Sequence, residues 1–419
     1  MKLTIEPQSR RLPGWLALVC QALVCQALVC SPSTAYAQLT APGEAAQIRL
    51  GPVSLYPTLQ IVDAGRDRNV FNDGQEQQED FTFTAASRAL AVVKLGQNEL
   101  LFSTGNDYVW FQKYAQERSN NTRYATRFNL SASRFKPFVG AEHQRTRSRP
   151  NLEIDARARR LERAVVAGFN LNLADRTAIT ASVKMDDSTF DDGEVFRSVD
   201  LGDALNRSGR SVAGGVRYSL TPLTLLAVVV NYAEDTFSDS HVRDSKSYSL
   251  VPTLEFSPDA SIHGHLSAGV ERFQPKDVSL PAHVGPIYDA NLNWSIFGRT
   301  TFDVKGGRDT HYSYQDTEPY YVLTGARLTI TQRLFGPLDA LAGVEWQHML
   351  YRWHHGATPE AGAASRTQLL KGLSGGVGVN LGRGFRITVS AEHTDRHSTQ
   401  DPRQNYQRNR LLSSFTLGS

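Results

Sequence analysis

From Phe385 to Glu392 the chain alternates strictly. Phe385, Ile387, Val389 and Ala391 fall on one side, and Arg386, Thr388, Ser390 and Glu392 on the other. Successive side chains of a strand point to opposite faces, so a two-residue period with one apolar face specifies a half-buried strand. The pattern recurs over Tyr320–Thr331. There Tyr320, Val322, Ala326, Leu328 and Ile330 oppose Arg327, Thr329 and Thr331. It recurs over Tyr288–Ile296, and over Leu373–Leu381 with glycine, serine and asparagine on the small or polar face. No amphipathic helical pattern of similar length occurs beyond residue 37.

Turn formers punctuate these runs. Short turns are expected at Gly96, Pro137, Asp175, Pro222, Pro258, Gly298, Gly336 and Gly382, where glycine, proline and aspartate accept tight-turn geometry. Midway between them lie longer polar stretches: 63–79, 113–121, 145–158, 187–204, 234–239, 273–286, 310–316, 354–365 and 397–403. Two strands per long loop give eighteen strands, with both termini on the short-turn side. Alternating short turns and long loops are the rhythm of an outer-membrane barrel with periplasmic turns and outer loops. The fold class expected is therefore all-β, a closed antiparallel transmembrane β-barrel. A spanning sheet has to close because an unpaired backbone group in hydrocarbon costs several kcal/mol. A soluble sandwich or propeller would need shorter strands, typically five or six residues. Aromatic girdles are expected from Tyr218, Phe297, Phe335 and Phe385 near the short turns, and from Trp110, Tyr232, Trp346 and Tyr351 near the long loops.

The beginning of the chain carries a different signal. Lys2, Arg10 and Arg11 precede the apolar run Trp15–Cys30, and Ala35-Tyr-Ala37 follows. This reads as a secretory signal peptide over 1–37, cleaved before Gln38. Residues 38–52 are then a periplasmic N-terminal segment and 53–419 the barrel. All three cysteines, Cys20, Cys25 and Cys30, fall within the signal. Disulfide scaffolds, thiol nucleophiles and cysteine metal sites are thereby excluded from the rest. Loss of Lys2, Arg10, Arg11 and Glu6 takes the net charge from +3 to +1, too little for a nucleic-acid-binding field.

The segment Pro52–Ile61, followed by Asp67-Arg68-Asn69-Val70-Phe71, resembles the first strand and first loop of the putative beta-barrel porin 2 family. Proteins of that family often carry an aspartate-x-asparagine-aliphatic-phenylalanine motif there. The resemblance implies an outer-membrane barrel, and similar barrels accompany exopolysaccharide biosynthesis and export in Gram-negative bacteria. Barrels of this kind commonly end on an aromatic residue, whereas here the last aromatic, Phe415, stands four residues before Ser419.

If each apolar face meets lipid, the opposite faces line a lumen. The candidate wall carries Arg88, Arg123, Arg127, Lys184, Arg217, Lys305, Arg327 and Arg386, with Arg299 as a ninth cation. Against them stand Asp107, Glu142, Glu255, Glu271, Asp289, Asp303, Glu345 and Glu392. Some of these charges would pair across strands and brace the wall. A wall so balanced predicts a wet channel for hydrophilic solutes with little preference between small cations and anions. Two consecutive outer loops differ in sign: one holds Arg145, Arg147, Arg149, Arg157, Arg159 and Arg160, the next Asp186, Asp187, Asp191, Asp192, Glu194, Asp200 and Asp203. They could meet over the mouth as a constriction or contact phosphorylated lipid headgroups.

Catalytic motifs are missing: there is no G-x-S-x-G elbow, H-E-x-x-H or phosphate loop. His263 and His265 share a face, which alone does not make a metal site, and His354-His355 is no stronger. The expected function is a porin-like outer-membrane channel, with exopolysaccharide export as a finer possibility and no catalytic residues, cofactor or metal. Its partners would be outer-membrane lipids and lipopolysaccharide, the barrel-assembly machinery, and a hydrophilic solute or polysaccharide. The competing readings are a barrel-embedded lipid hydrolase or acyltransferase, and a plugged structural or adhesive barrel.

Overall fold

The structure, a computed structural model, describes residues 48–352, 366–382 and 384–418. The proposed signal peptide, the loop with His354-His355 and Arg383 lie outside the described residues. Eighteen long strands run from Val53–Asp67 to Tyr406–Gly418, each antiparallel to the next. The first pairs with the last, Thr58 opposite Gly418 and Asp67 opposite Arg410, and so closes the sheet. Strand lengths run from 11 residues in Ser119–Asn129 to 17 in Ala158–Ala174, enough for tilted strands to cross a bilayer. The α-helix Leu201–Leu205 occupies an outer loop.

The seam is where closure is hardest, because its partners are joined late and from opposite ends of the chain. A bulge between Ile61 and Ala64 shifts the register. Beyond it a Cβ on Gly65 would lie 1.9 Å from the Leu411 carbonyl oxygen, so only glycine allows the two backbones to meet. The last strand ends opposite Thr58, and the short strand Ile48–Leu50 folds back on Val53–Leu55. The edge left open by the last strand is thereby covered.

Outward parity is apolar. Val212, Val216, Val228, Val230, Leu250 and Val270 are all exposed, a sorting inverted from that of a soluble protein and suited to lipid. Leu226 shares the parity of Val228 and Val230.

The turns at Gly96, Asp175, Pro222, Pro258, Gly298, Gly336 and Gly382 sit at hairpin ends along one rim. Pro137 does not. It lies inside the strand Phe135–Ser148, and the turn falls earlier, around Ser133, whose φ is +55°. Pairing with the preceding strand ends at Phe138 opposite Asn129. Just past that point Leu130 N still donates to Pro137 O at 2.9 Å, and proline at this hairpin end forgoes only the reciprocal bond for want of its N–H. Arg299, expected on the wall, is exposed in the turn between Ile296 and Thr300. Tyr351, expected in the outer girdle, is fully buried and faces inward. The loops 68–79, 112–118, 149–157, 191–206 and 276–282 are shorter than the polar stretches that mark them, since the strands run on into those stretches.

The lumen and its inward-folded loop

The segment between the strands Phe135–Ser148 and Ala158–Ala174 does not project from the barrel. It crosses the lumen to the far wall. Leu152 packs with Tyr321, Leu323, Met349, Tyr351 and Leu370, while Ile154 joins Phe190, Phe196, Leu201, Phe237 and Tyr314. Burial of these two side chains draws the loop inward. Between them Glu153, with no exposed surface, accepts hydrogen bonds from Tyr351 Oη at 2.8 Å, Ser313 Oγ at 2.9 Å and the Tyr314 amide at 3.2 Å. Arg366 Nη2 stands 3.7 Å from the same carboxylate. Burial pushes the Glu153 carboxyl above the usual range, and Arg366 and the donated bonds pull it back. Asp155 accepts from Arg396 Nη1 at 2.9 Å and from Asn72 Nδ2 at 3.0 Å. The loop is thus tied to the wall at two carboxylates.

The next outer loop folds over the same mouth. Phe196, Leu201 and Leu205 pack on Ile154, and Arg197 reaches across to Asp401. The basic and acidic loops do pair, Arg145 with Asp191 at 2.9 Å and Arg159 with Glu194 at 3.6 Å, but these arginines share the outward parity of Val139 and Val165, so they meet at the outer rim and not over the mouth. The hairpin end around Tyr312 and Tyr320 also leans inward. Pairing between its strand Thr300–Tyr312 and the strand His283–Ile296 stops at Arg308 opposite Tyr288, and the Tyr312 hydroxyl bonds to Asp235 Oδ2 at 2.5 Å.

A cavity lies beneath the loop, against the strands on either side of the seam. Its volume is about 830 Å³. Eight of the wall candidates line it: Arg88, Asp107, Arg123, Arg127, Glu142, Arg327, Glu345 and Glu392. Most are paired, Arg123 with Glu142 at 2.6 Å, Arg88 with Asp107 at 3.3 Å and Arg327 with Glu345. The other eight, Lys184, Arg217, Glu255, Glu271, Asp289, Asp303, Lys305 and Arg386, share the inward parity of their strands but lie outside this cavity. Arg217 bonds Glu255 at 2.8 Å, Lys184 bonds Asp186 at 3.0 Å, and Arg386 bonds Asp339 at 2.7 Å. His265 is held by Asp289. The arc from Glu255 through Glu271 and Asp289 to Asp303, on four consecutive strands, is acidic.

Sequence periodicity missed several cavity residues. Arg149, Asp155, Arg157, Arg408 and Arg410 all line it. The Asp67–Phe71 motif explains part of this. Asp67, 2% exposed, pairs with Arg408 of the last strand. Asn69 donates to Gln407 O at 2.9 Å and Asp73 O at 2.7 Å. Val70 O accepts from Arg149 Nη2 at 2.7 Å. The motif therefore fastens the seam and seats the inward loop at once.

A closed antiparallel barrel with an apolar belt, a polar interior and a loop folded into the lumen defines a porin-type outer-membrane barrel. The chain belongs to the putative beta-barrel porin 2 family, whose model matches residues 41–417. Among curated proteins none matches it. Solved structures similar to it include OccK2 (OpdF) of Pseudomonas aeruginosa in complex with glucuronate, at 14% identity and a TM-score of 0.48, covering 88% of this chain and 99% of that one. A BenF-like porin from Pseudomonas fluorescens Pf-5 is 11% identical with a TM-score of 0.47, covering 88% and 100%. The siderophore receptor PirA of Pseudomonas aeruginosa is 8% identical with a TM-score of 0.44, covering 88% and 81%.

Proposed function

We propose that this barrel is a non-enzymatic channel for hydrophilic solutes whose aperture is set by the loop from Arg149 to Arg157. The observation that carries this reading is the polar cavity beneath a loop anchored across the lumen. A wall of paired charges stays wet and keeps its shape, and a crossing loop narrows the passage without closing the barrel around it. The sixteen wall candidates are assigned to this lining, and residues 1–37 to export through the inner membrane. Insertion into the outer membrane then involves the assembly machinery and lipopolysaccharide. Exopolysaccharide export rests on the family resemblance. The motif behind that resemblance serves the seam and the loop, so the solute has to be argued from the cavity.

The test is a planar-bilayer recording of the purified protein beside a variant lacking residues 150–156. Discrete channels in the full chain, with larger conductance in the variant, are expected. A folded barrel that conducts in neither form sinks the channel reading and favours a plugged structural barrel.

A further inference from the structure

We infer that the cavity beneath the loop is a binding site for small anionic solutes bearing hydroxyl groups, and that Arg149 and Arg157 select them. The inference rests on the channel reading and deepens it. Among the described residues nine arginines and six carboxylates line the cavity. Five of the six are already engaged on arginines: Asp107 on Arg88, Glu142 on Arg123, Glu345 on Arg327, Asp155 on Arg396 and Glu392 on Arg410. The acid that answers Arg408, Asp67, is buried behind it. Arg147 and Arg157 share one carboxylate, that of Glu117, at 3.0 and 3.7 Å.

Arg149 goes further. Its hydrogen-bond partners are two backbone carbonyls, Asp155 O from Nε and Val70 O from Nη2, both at 2.7 Å. Carbonyls orient a guanidinium without neutralising it. Burial pulls Arg149 and Arg157 down to about 10, so both remain charged at neutral pH. The positive heads therefore face the cavity while much of the compensating charge lies behind them.

A fixed guanidinium fork matches a carboxylate or a phosphate edge in the plane of two hydrogen bonds. Gln60, Asn121, Gln144, Ser374 and Ser390 add neutral donors and acceptors to the lining, suited to hydroxyls. The volume falls within the range of roughly 300–1,000 Å³ that encloses a small organic ligand. The balanced wall alone predicts little ionic preference, but the loop brings additional guanidinium groups to the cavity.

The test compares galacturonate with galactose, which differ at one carboxylate, on the full chain. Titration calorimetry in detergent measures binding and single-channel recording measures interruption of current. Galacturonate is expected to bind and to interrupt current where galactose does neither. Arg149→Gln and, separately, Arg157→Gln should each weaken galacturonate roughly tenfold, the loss of one charge-assisted hydrogen bond. Arg149→Lys should retain part of the binding, and heat-modifiable gel mobility confirms that each barrel is folded. Channels that conduct but treat the two sugars alike, or variants that bind as the parent does, overturn the inference and leave the channel reading intact. Calorimetric binding without conduction supports the site and overturns the channel.

Discussion

Glu153 and Tyr351 are 198 positions apart in the chain, yet the tyrosine hydroxyl donates to the carboxylate at 2.8 Å across the lumen. That contact joins a loop rooted on one side of the barrel to the wall opposite. Arg366 stacks over the same Tyr351 ring at 4.1 Å and approaches the same carboxylate. The aperture is consequently held by a buried polar cluster whose members are contributed by elements that become neighbours only once the barrel has closed.

Glu153→Ala should release the loop. It leaves Ser313 Oγ, the Tyr314 amide and the Tyr351 hydroxyl without their acceptor in a buried site, while Arg366 keeps Glu318 at 2.9 Å. Leaving a buried donor unsatisfied costs about 1–3 kcal/mol. Limited proteolysis within residues 149–157 should become fast while the barrel resists, and single-channel conductance should rise and grow noisy. Unchanged protease resistance would mean that Leu152 and Ile154 hold the loop unaided.

Topology can be tested by cysteine placement, because all native cysteines fall in residues 1–37. Single cysteines at Gln97, Asp175 or Pro258, on the short-turn rim, should resist a membrane-impermeant thiol reagent on whole cells. Cysteines at Asp239 and Val278, in outer loops, should label. Val278 is fully exposed. Labelling of both groups on intact cells would contradict the assigned orientation.

The lipid belt gives a third expectation. Val228 is exposed on the outward parity of the strand Thr224–Phe237. Val228→Arg should destabilise the barrel by about 2–4 kcal/mol if the site is near the bilayer midplane, read as a lowered urea midpoint in lipid vesicles. An arginine at Val229, of inward parity, should cost much less. Equal effects at the two positions would contradict the inside–outside sorting.

Alternation is written locally, and this is why the wall was legible. Arg217 could be assigned to the lumen because Val216 and Tyr218 on either side of it are apolar. What lay beyond reading was long range. Leu152 and Ile154 are two apolar residues in a charged loop, and their neighbours, from Phe196 to Leu370, share no period with them. Their presence in an otherwise polar stretch was the available signal. Tyr351 fits a girdle by being aromatic and near a long loop, and only the inward course of residues 149–157 gives it a buried partner. Pro137 failed for another reason. Proline marks turns through its fixed φ, but beside a hairpin end a strand tolerates it equally well.

The seam supplies the last prediction. Asp67 is buried against Arg408, joining the first strand to the last, and Arg408 also donates to Asn72 Oδ1 at 3.2 Å. Either Asp67→Ala or Arg408→Ala leaves one charge buried without its partner, at a cost of about 3–5 kcal/mol. The double variant removes both charges and should be less destabilised than the sum of the two. Residues in direct contact depart from additivity by about 0.5–3 kcal/mol. The measurement is the urea midpoint of refolding into lipid vesicles, followed by heat-modifiable gel mobility. Strict additivity would mean that the two side chains act independently, with closure then resting on the backbone ladder and the close approach at Gly65.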